Sequence, residues 1–174
     1  MGKRSSFDRN PRDFYKTPRA AIVPLVPHLP TELTTYHEPC AGDGALVHGL
    51  NALAPQMHCM YASDIEPQEG WIVRHNALDL TACVGTMFIT NPPWDRSILH
   101  PLIMHLSDIA PTWLLIDADW AHTGQSAPFL KRCSHIVSIG RVKWIEGSTM
   151  IGKDNAAWYC FSGDHTGTTM FVGR

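Results

Sequence analysis

Asn91-Pro92-Pro93-Trp94 stands immediately after the apolar run Thr86-Met87-Phe88-Ile89-Thr90 and presents an amide, two rigid residues and an aromatic plate. Both prolines lack an amide donor and hold φ at about −65°, so a strand ending there neither continues its ladder nor opens a helix directly. The carbonyls at its tip are left free. Asn91 and the Pro92 carbonyl supply two acceptors for one NH2 group, and Trp94 supplies a surface for the ring that carries it. The chemistry this suits is the gripping of a planar amine. The plainer reading of the same residues is a Pro-Pro turn at a strand end with Trp94 in the core.

A second group follows another strand tip. In Glu38-Pro39-Cys40-Ala41-Gly42-Asp43-Gly44, Gly42 and Gly44 permit positive φ and a close approach of ligand to backbone. The third glycine of a dinucleotide fingerprint is absent, and no Lys-Ser/Thr pair follows as in a phosphate loop. Glu38 and Asp43 would repel a pyrophosphate and favour a cationic or amino-bearing ligand. Asp64 comes about 20 residues after the glycine turn, where such folds set a carboxylate for ribose hydroxyls. Asn76 lies past the next strand, on the side where it could meet a base edge.

The elements that must position these residues alternate. Strands are expected at Thr34–Glu38, Met57–Ser63, Trp71–Arg74, Thr86–Thr90, Trp113–Ile116, His135–Ile145 and Ala156–Phe161, with helices at Ala45–Leu53, Ile98–Ile109 and Ala127–Cys133. Short apolar strands alternating with helices predict an α/β fold: a Rossmann-like, doubly wound, mostly parallel sheet with a terminal antiparallel β-hairpin carrying an antiparallel strand at or near one edge. The hairpin loop, 146–155, is long enough to suggest function. Every polar motif falls at a strand's carboxyl end, where such sheets bind ligands.

A chain of 174 residues is read as one domain, 1–174, with 1–13 as a basic arm. No apolar stretch approaches the roughly 20 residues that cross a bilayer, and the N-terminus does not read as a secretory signal, so a cytoplasmic protein is expected. The five scattered cysteines and the histidines, including His100 and His105 on one helix, lack the spacings of disulfide frameworks or zinc sites, and no metal is expected. The net charge of −2 hides a segregation: residues 1–20 hold six of the fourteen basic residues and 131–153 five more, while 21–130 has only Arg74 and Arg96 against eleven acids. Two basic ends suit a polyanion if the fold brings them together; ordinary solvated charge is the alternative.

Glu38-Pro39-x-x-Gly42-x-Gly44, the tip at Asp64, Asn76-Ala77-Leu78 and Asn91-Pro92-Pro93-Trp94 resemble motifs I to IV of class I S-adenosylmethionine-dependent amino-methyltransferases, and most nearly the N6-adenine DNA methyltransferases. Phe14-Tyr15-Lys16-Thr17-Pro18 is similar to their motif X. The resemblance implies that Glu38, Pro39, Gly42 and Gly44 line the amino-acid portion of S-adenosylmethionine under Tyr15, Lys16 and Thr17. It implies that Asp64 holds the ribose, that Ile65 packs on the cofactor's adenine, and that Asn76 and Ala77 meet that adenine's edge. Asn91, Pro92 and Pro93 would then grip the target amine, with Asn91 also beside the cofactor and Trp94 stacking on a flipped base. Asn76 stands where aspartate is usual, and Trp94 where tyrosine or phenylalanine is commoner.

The substrate this implies is the N6 amine of adenine in DNA, flipped out or unpaired. Arg141, Lys143, Trp144 and Lys153 on the terminal hairpin are the candidates for contact with the nucleic acid. A target-recognition domain has no room in the chain. Specificity should therefore be short or relaxed, as in a small phage-type or restriction-modification enzyme, and a homodimer or partner is one way to add to it. Adenine in RNA, a protein glutamine amide, and a non-catalytic nucleic-acid-binding subunit of a methyltransferase complex are the alternatives.

Overall fold

The computed structural model describes residues 15–144, 152 and 154–174; the expected basic arm over 1–13, most of the hairpin loop and Lys153 lie outside the described residues. In chain order the elements are α1 (Arg19–Ile22) running into a 3-10 turn (Val23–His28), β1 (Thr34–Glu38), α2 (Ala45–Leu53), β2 (Met57–Asp64), β3 (Val73–Arg74), β4 (Met87–Thr90), α3 (Arg96–Ile109), β5 (Thr112–Asp117), a 3-10 turn (Ala118–His122), α4 (Ala127–Leu130), β6 (Cys133–Gly140), β7 (Ala156–Phe161) and β8 (Met170–Val172). The strands form one sheet in the order β3-β2-β1-β4-β5-β7-β6-β8. β7 runs antiparallel to both β5 and β6, and every other pairing is parallel.

The antiparallel strand expected near an edge is instead interior and buried at all six positions. The edge belongs to β8, which the sequence pattern does not announce. β6 also stops at Gly140, five residues before the expected end, because Gly140 turns to a φ of 71° and the chain leaves the ladder.

Helices cover both faces for local reasons. α2 places Leu46, Val47 and Leu50 on one buried side, and α3 does the same with Leu99, Leu102, Ile103 and Leu106, the spacing of a core-facing helix. Asp95 starts α3 by accepting from the Ser97 N–H at 2.8 Å. On the α2 face, α1 is pinned by the Trp158 indole of β7, which donates to the Ala21 carbonyl at 2.7 Å, and Ala21, Ile22 and Leu25 are fully buried around it. That anchor fixes residues 15–17 just upstream.

Gly44 opens α2 at a φ of 78°, and a Cβ there would lie 2.3 Å from the Trp71 ring. Left-handed strain alone costs about 1–2 kcal/mol. Gly44→Ala is therefore expected to lower unfolding stability by at least about 1 kcal/mol in denaturant titration. Combining it with Trp71→Ala should recover only the clash and leave the backbone cost.

Candidate active site

β1 and β4 are neighbours from which the chain departs in opposite directions, so their carboxyl ends open the crevice where doubly wound sheets take ligands. Glu38–Gly44 leaves one strand there and Asn91–Trp94 the other. Asp64, at the tip of β2, ties the crevice together: its Oδ2 accepts from the Gly42 N–H and its Oδ1 from the Glu66 N–H, each at 2.8 Å. A carboxylate has about four lone-pair positions, so both oxygens keep acceptor capacity. Ile65 beside it is half exposed, an apolar surface at the rim.

The Asn76 Oδ1 accepts from the Leu78 N–H at 3.2 Å and caps the single turn Ala77–Asp79. Its amide nitrogen is what remains to meet a ligand. Ala77 is buried against Leu102 and Leu106 of α3, so only its backbone could serve a ligand.

Glu38 is 1 % exposed, and its Oε2 has no hydrogen-bond partner among the described residues. Burial first, then Asp64 and Asp43, push its carboxyl well above the usual range, against a weaker opposing bond from the Val47 N–H. A folded-state pKa above the unfolded one means that stability is whole below the ordinary carboxyl pKa and declines as pH rises toward the folded value. Glu38→Gln should consequently raise the melting temperature at neutral pH and leave it unchanged at acid pH. An equal shift at both would remove ionisation as the cause.

Asn91 is turned by its neighbours. Its Nδ2 lies 3.3 Å from the Tyr15 carbonyl and 3.2 Å from the Thr17 Oγ1. A carbonyl only accepts, so the nitrogen must face it and Oδ1 points the other way as an acceptor. No donor among the described residues meets the Pro92 carbonyl. Lys16 reaches the glycine turn as well, its Nζ 2.8 Å from the Asp43 Oδ2. Residues 15–17 thus strap β4 to the loop after β1. Pro39 is buried beside that loop.

Trp94 is held as a fixed wall. Its indole N–H donates to the Leu115 carbonyl of β5 at 3.0 Å, and its ring packs against core side chains of both sheet faces. The Trp144 ring meets it edge-on, centroids 5.5 Å apart at 89°, and Tyr15 lies 6.5 Å from Trp144. Tyr15 and Trp144, one from each basic stretch, are thus brought together; Lys3, Arg4, Arg9, Arg12 and Lys153 lie outside the described residues.

The second basic stretch is divided by the sheet. Arg141 and Lys143 are exposed at the carboxyl edge just past β6. Lys131 and Arg132 precede β6 at the opposite edge, where Arg132 pairs with Asp108. His100 and His105 are also structural: the first accepts from the Trp120 indole at 3.1 Å, and the second lies 2.8 Å from the Leu80 carbonyl. Among the described residues no group of three His, Cys, Asp or Glu side chains could hold a metal ion, and no helix is long and apolar enough to cross a membrane.

Two site features escape sequence reasoning. One is the use of Asn91 as a tether for residues 15–17, which are more than 70 positions away. The other is the packing of Trp144, a candidate on the hairpin, directly against Trp94, because the alternation Val142, Trp144 reads as continued strand.

No protein-family model matches the chain, and no curated protein does. Solved structures do. A protein assigned as an RNA methyltransferase from Pyrococcus horikoshii superposes with a TM-score of 0.58 at 16% identity, over 92% of this chain and 93% of that one. The methyltransferase subunit of a type I restriction-modification system from Streptococcus thermophilus gives 0.58 at 10% identity; the match takes in 91% of this chain but only 47% of the subunit. A dimethyladenosine transferase from Plasmodium falciparum gives 0.54 at 15% identity, over 84% of this chain and 62% of that one. The strand order and the crevice between β1 and β4 accordingly belong to a fold that this chain shares with solved methyltransferases.

Proposed function

We propose that the protein transfers a methyl group from S-adenosylmethionine to the N6 amine of adenine in nucleic acid, most fittingly DNA. The single observation that carries this is the orientation of Asn91: with its nitrogen turned to Tyr15 and Thr17, Oδ1 is left as an acceptor, one residue before a Pro92 carbonyl that meets no donor among the described residues and three before Trp94.

The residues fit the cofactor. Glu38, with its orphaned Oε2, would hold the amino end, Gly42 and Gly44 would let it approach the backbone, and Asp64 would receive the ribose hydroxyls while Ile65 and Asn76 bound the adenine. S-adenosylmethionine, when bound, supplies a methyl group already activated on a sulfonium. The protein then needs no nucleophile of its own. Asn91 and Pro92 each accept a hydrogen bond from one N–H of the target NH2, which favours tetrahedral character on nitrogen and frees its lone pair. Pro93 stiffens the tip, and Trp94 fixes the plane of the base, so orientation supplies much of the rate. An aniline-like amine is barely basic, and Asn91 orients it without deprotonating it; the proton leaves to water after transfer. Arg141 and Lys143 at the same edge suit the phosphates, and a paired adenine would have to be flipped to arrive.

Adenine in RNA is the second reading, favoured by the resemblance in fold to the P. horikoshii and P. falciparum proteins. Incubation with methyl-labelled S-adenosylmethionine and, separately, duplex DNA, single-stranded DNA, RNA and protein lysate, followed by digestion, tests both. Labelled N6-methyladenosine from RNA alone would transfer the proposal to RNA, and label confined to glutamine would end the nucleic-acid reading.

A further inference from the structure

Beyond the amine clamp, the same sheet edge carries a second concavity. It is a groove of about 510 Å3, within the size range of small-molecule sites. Ala118, Asp119 and His122 form one wall, Ile136, Ala157 and Tyr159 the floor, and Phe171 with Arg174 the other wall. The register explains the lining: Phe171 pairs with Ile136 across β6 and β8, and Ile136 pairs with Tyr159 across β6 and β7, so the three present their side chains to one face.

The polarity is graded. The floor is largely apolar, with the Tyr159 hydroxyl tied down to the Ala118 carbonyl at 3.0 Å. Phe171 is 68% exposed, a large aromatic surface facing solvent on a three-residue strand. At the mouth stand Arg141 and Arg174, neither paired with a carboxylate among the described residues, and the Arg174 guanidinium covers Gly140 where β6 ends. Asn155 lies at the same mouth, and Asp119 offers an acceptor within. Exposed aromatic surface, an apolar slot and two guanidiniums at its mouth are what a base with its phosphate requires.

The groove also joins the clamp. Residues 141–144 leave β6 at the groove's mouth and end with Trp144 against Trp94; the groove floor lies on the α3 face and Trp144 packs on the other, while Trp94 touches both. Trp94 follows β4, three strand spacings from β6, or roughly 14 Å. One strand of nucleic acid laid along that segment would meet Arg141 and Lys143 between the two ends.

We infer that this groove seats a nucleotide flanking the target base on the same strand, stacked on Phe171 with its phosphate at Arg141 and Arg174; the inference rests on the proposed methylation of adenine in nucleic acid. It gives this fold itself a place to prefer one sequence context.

The test uses single-stranded oligodeoxynucleotides with one central adenine, shortened stepwise from the 5′ or the 3′ side. Shortening from one side only should weaken binding, by roughly 5- to 150-fold as expected for one stacked base. Phe171→Ala should lose the same factor on the long oligonucleotide and nothing on the short one, and Arg174→Ala should reduce the salt dependence on the long one alone. Iodouracil placed at successive flanking positions should photocrosslink to Phe171 of the unaltered protein from that same side. Equal weakening from both sides, equal loss by Phe171→Ala on long and short strands, or crosslinks confined to other residues would overturn the inference while leaving adenine methylation intact. Failure to methylate any oligonucleotide would overturn the underlying reading and this one with it.

Discussion

Replacing Asn91 with alanine is expected to lower kcat/KM by about two to three orders of magnitude, the loss that follows removal of one preorganised hydrogen-bonding group at a reacting centre. The side chain has two duties, however, and they must be separated. Its Oδ1 is the proposed acceptor for the amine, while its Nδ2 holds the Tyr15 carbonyl and the Thr17 hydroxyl. Alanine removes both. Thr17→Val keeps the acceptor and deletes one anchor of the strap, so it should raise the KM for S-adenosylmethionine several-fold with kcat nearly unchanged. Asn91→Ala should lower kcat as well. The measurement is a full steady-state analysis of both variants against both substrates. If Thr17→Val lowered kcat as far as Asn91→Ala does, Asn91 would act only by positioning residues 15–17, and the amine clamp would lose its central residue.

That comparison also marks where the sequence stops being legible. β1 and β4 could be read to the residue or nearly so, because each is a short run, one Thr- and Tyr-bearing and one apolar, stopped by proline within two residues, and the residues that follow them form the candidate site. Local punctuation and local chemistry coincide there. The segment 19–28 could not be read: its prolines at 24 and 27 break helical periodicity, and its course is decided by burial of Ala21, Ile22 and Leu25 and by the Trp158 indole more than 130 positions away. β8 is three residues long and exposed on two of them, too little for any period to register. Residues 141–144 misled in the opposite sense, since their alternation suits a strand, yet Gly140 ends the ladder and Trp144 finds a better partner in Trp94. What was legible in the candidate site was each strand tip taken singly. The strap, the aromatic wall and the groove depend on contacts between segments far apart in the chain.

The second large effect is expected at Asp64, and here a plain loss of affinity would prove little. Both carboxylate oxygens already brace the crevice, accepting from the Gly42 and Glu66 N–H groups. Hydrogen bonds to a charged group are worth about 1.5–3 kcal/mol each. Asp64→Ala should therefore loosen the glycine turn and weaken S-adenosylhomocysteine binding by at least about tenfold, even if no ribose ever touched the side chain. Asp64→Asn is no gentler, because its NH2 would be driven toward one of two backbone donors. The discriminating measurement deletes the contact from the ligand side. The unaltered protein should bind the 2′-deoxy form of S-adenosylhomocysteine more weakly than the parent compound, and Asp64→Ala should bind the two alike, since the partner that distinguished them is gone. Should Asp64→Ala still prefer the parent by the same factor, Asp64 is a brace between two turns, and the ribose is held elsewhere in the crevice.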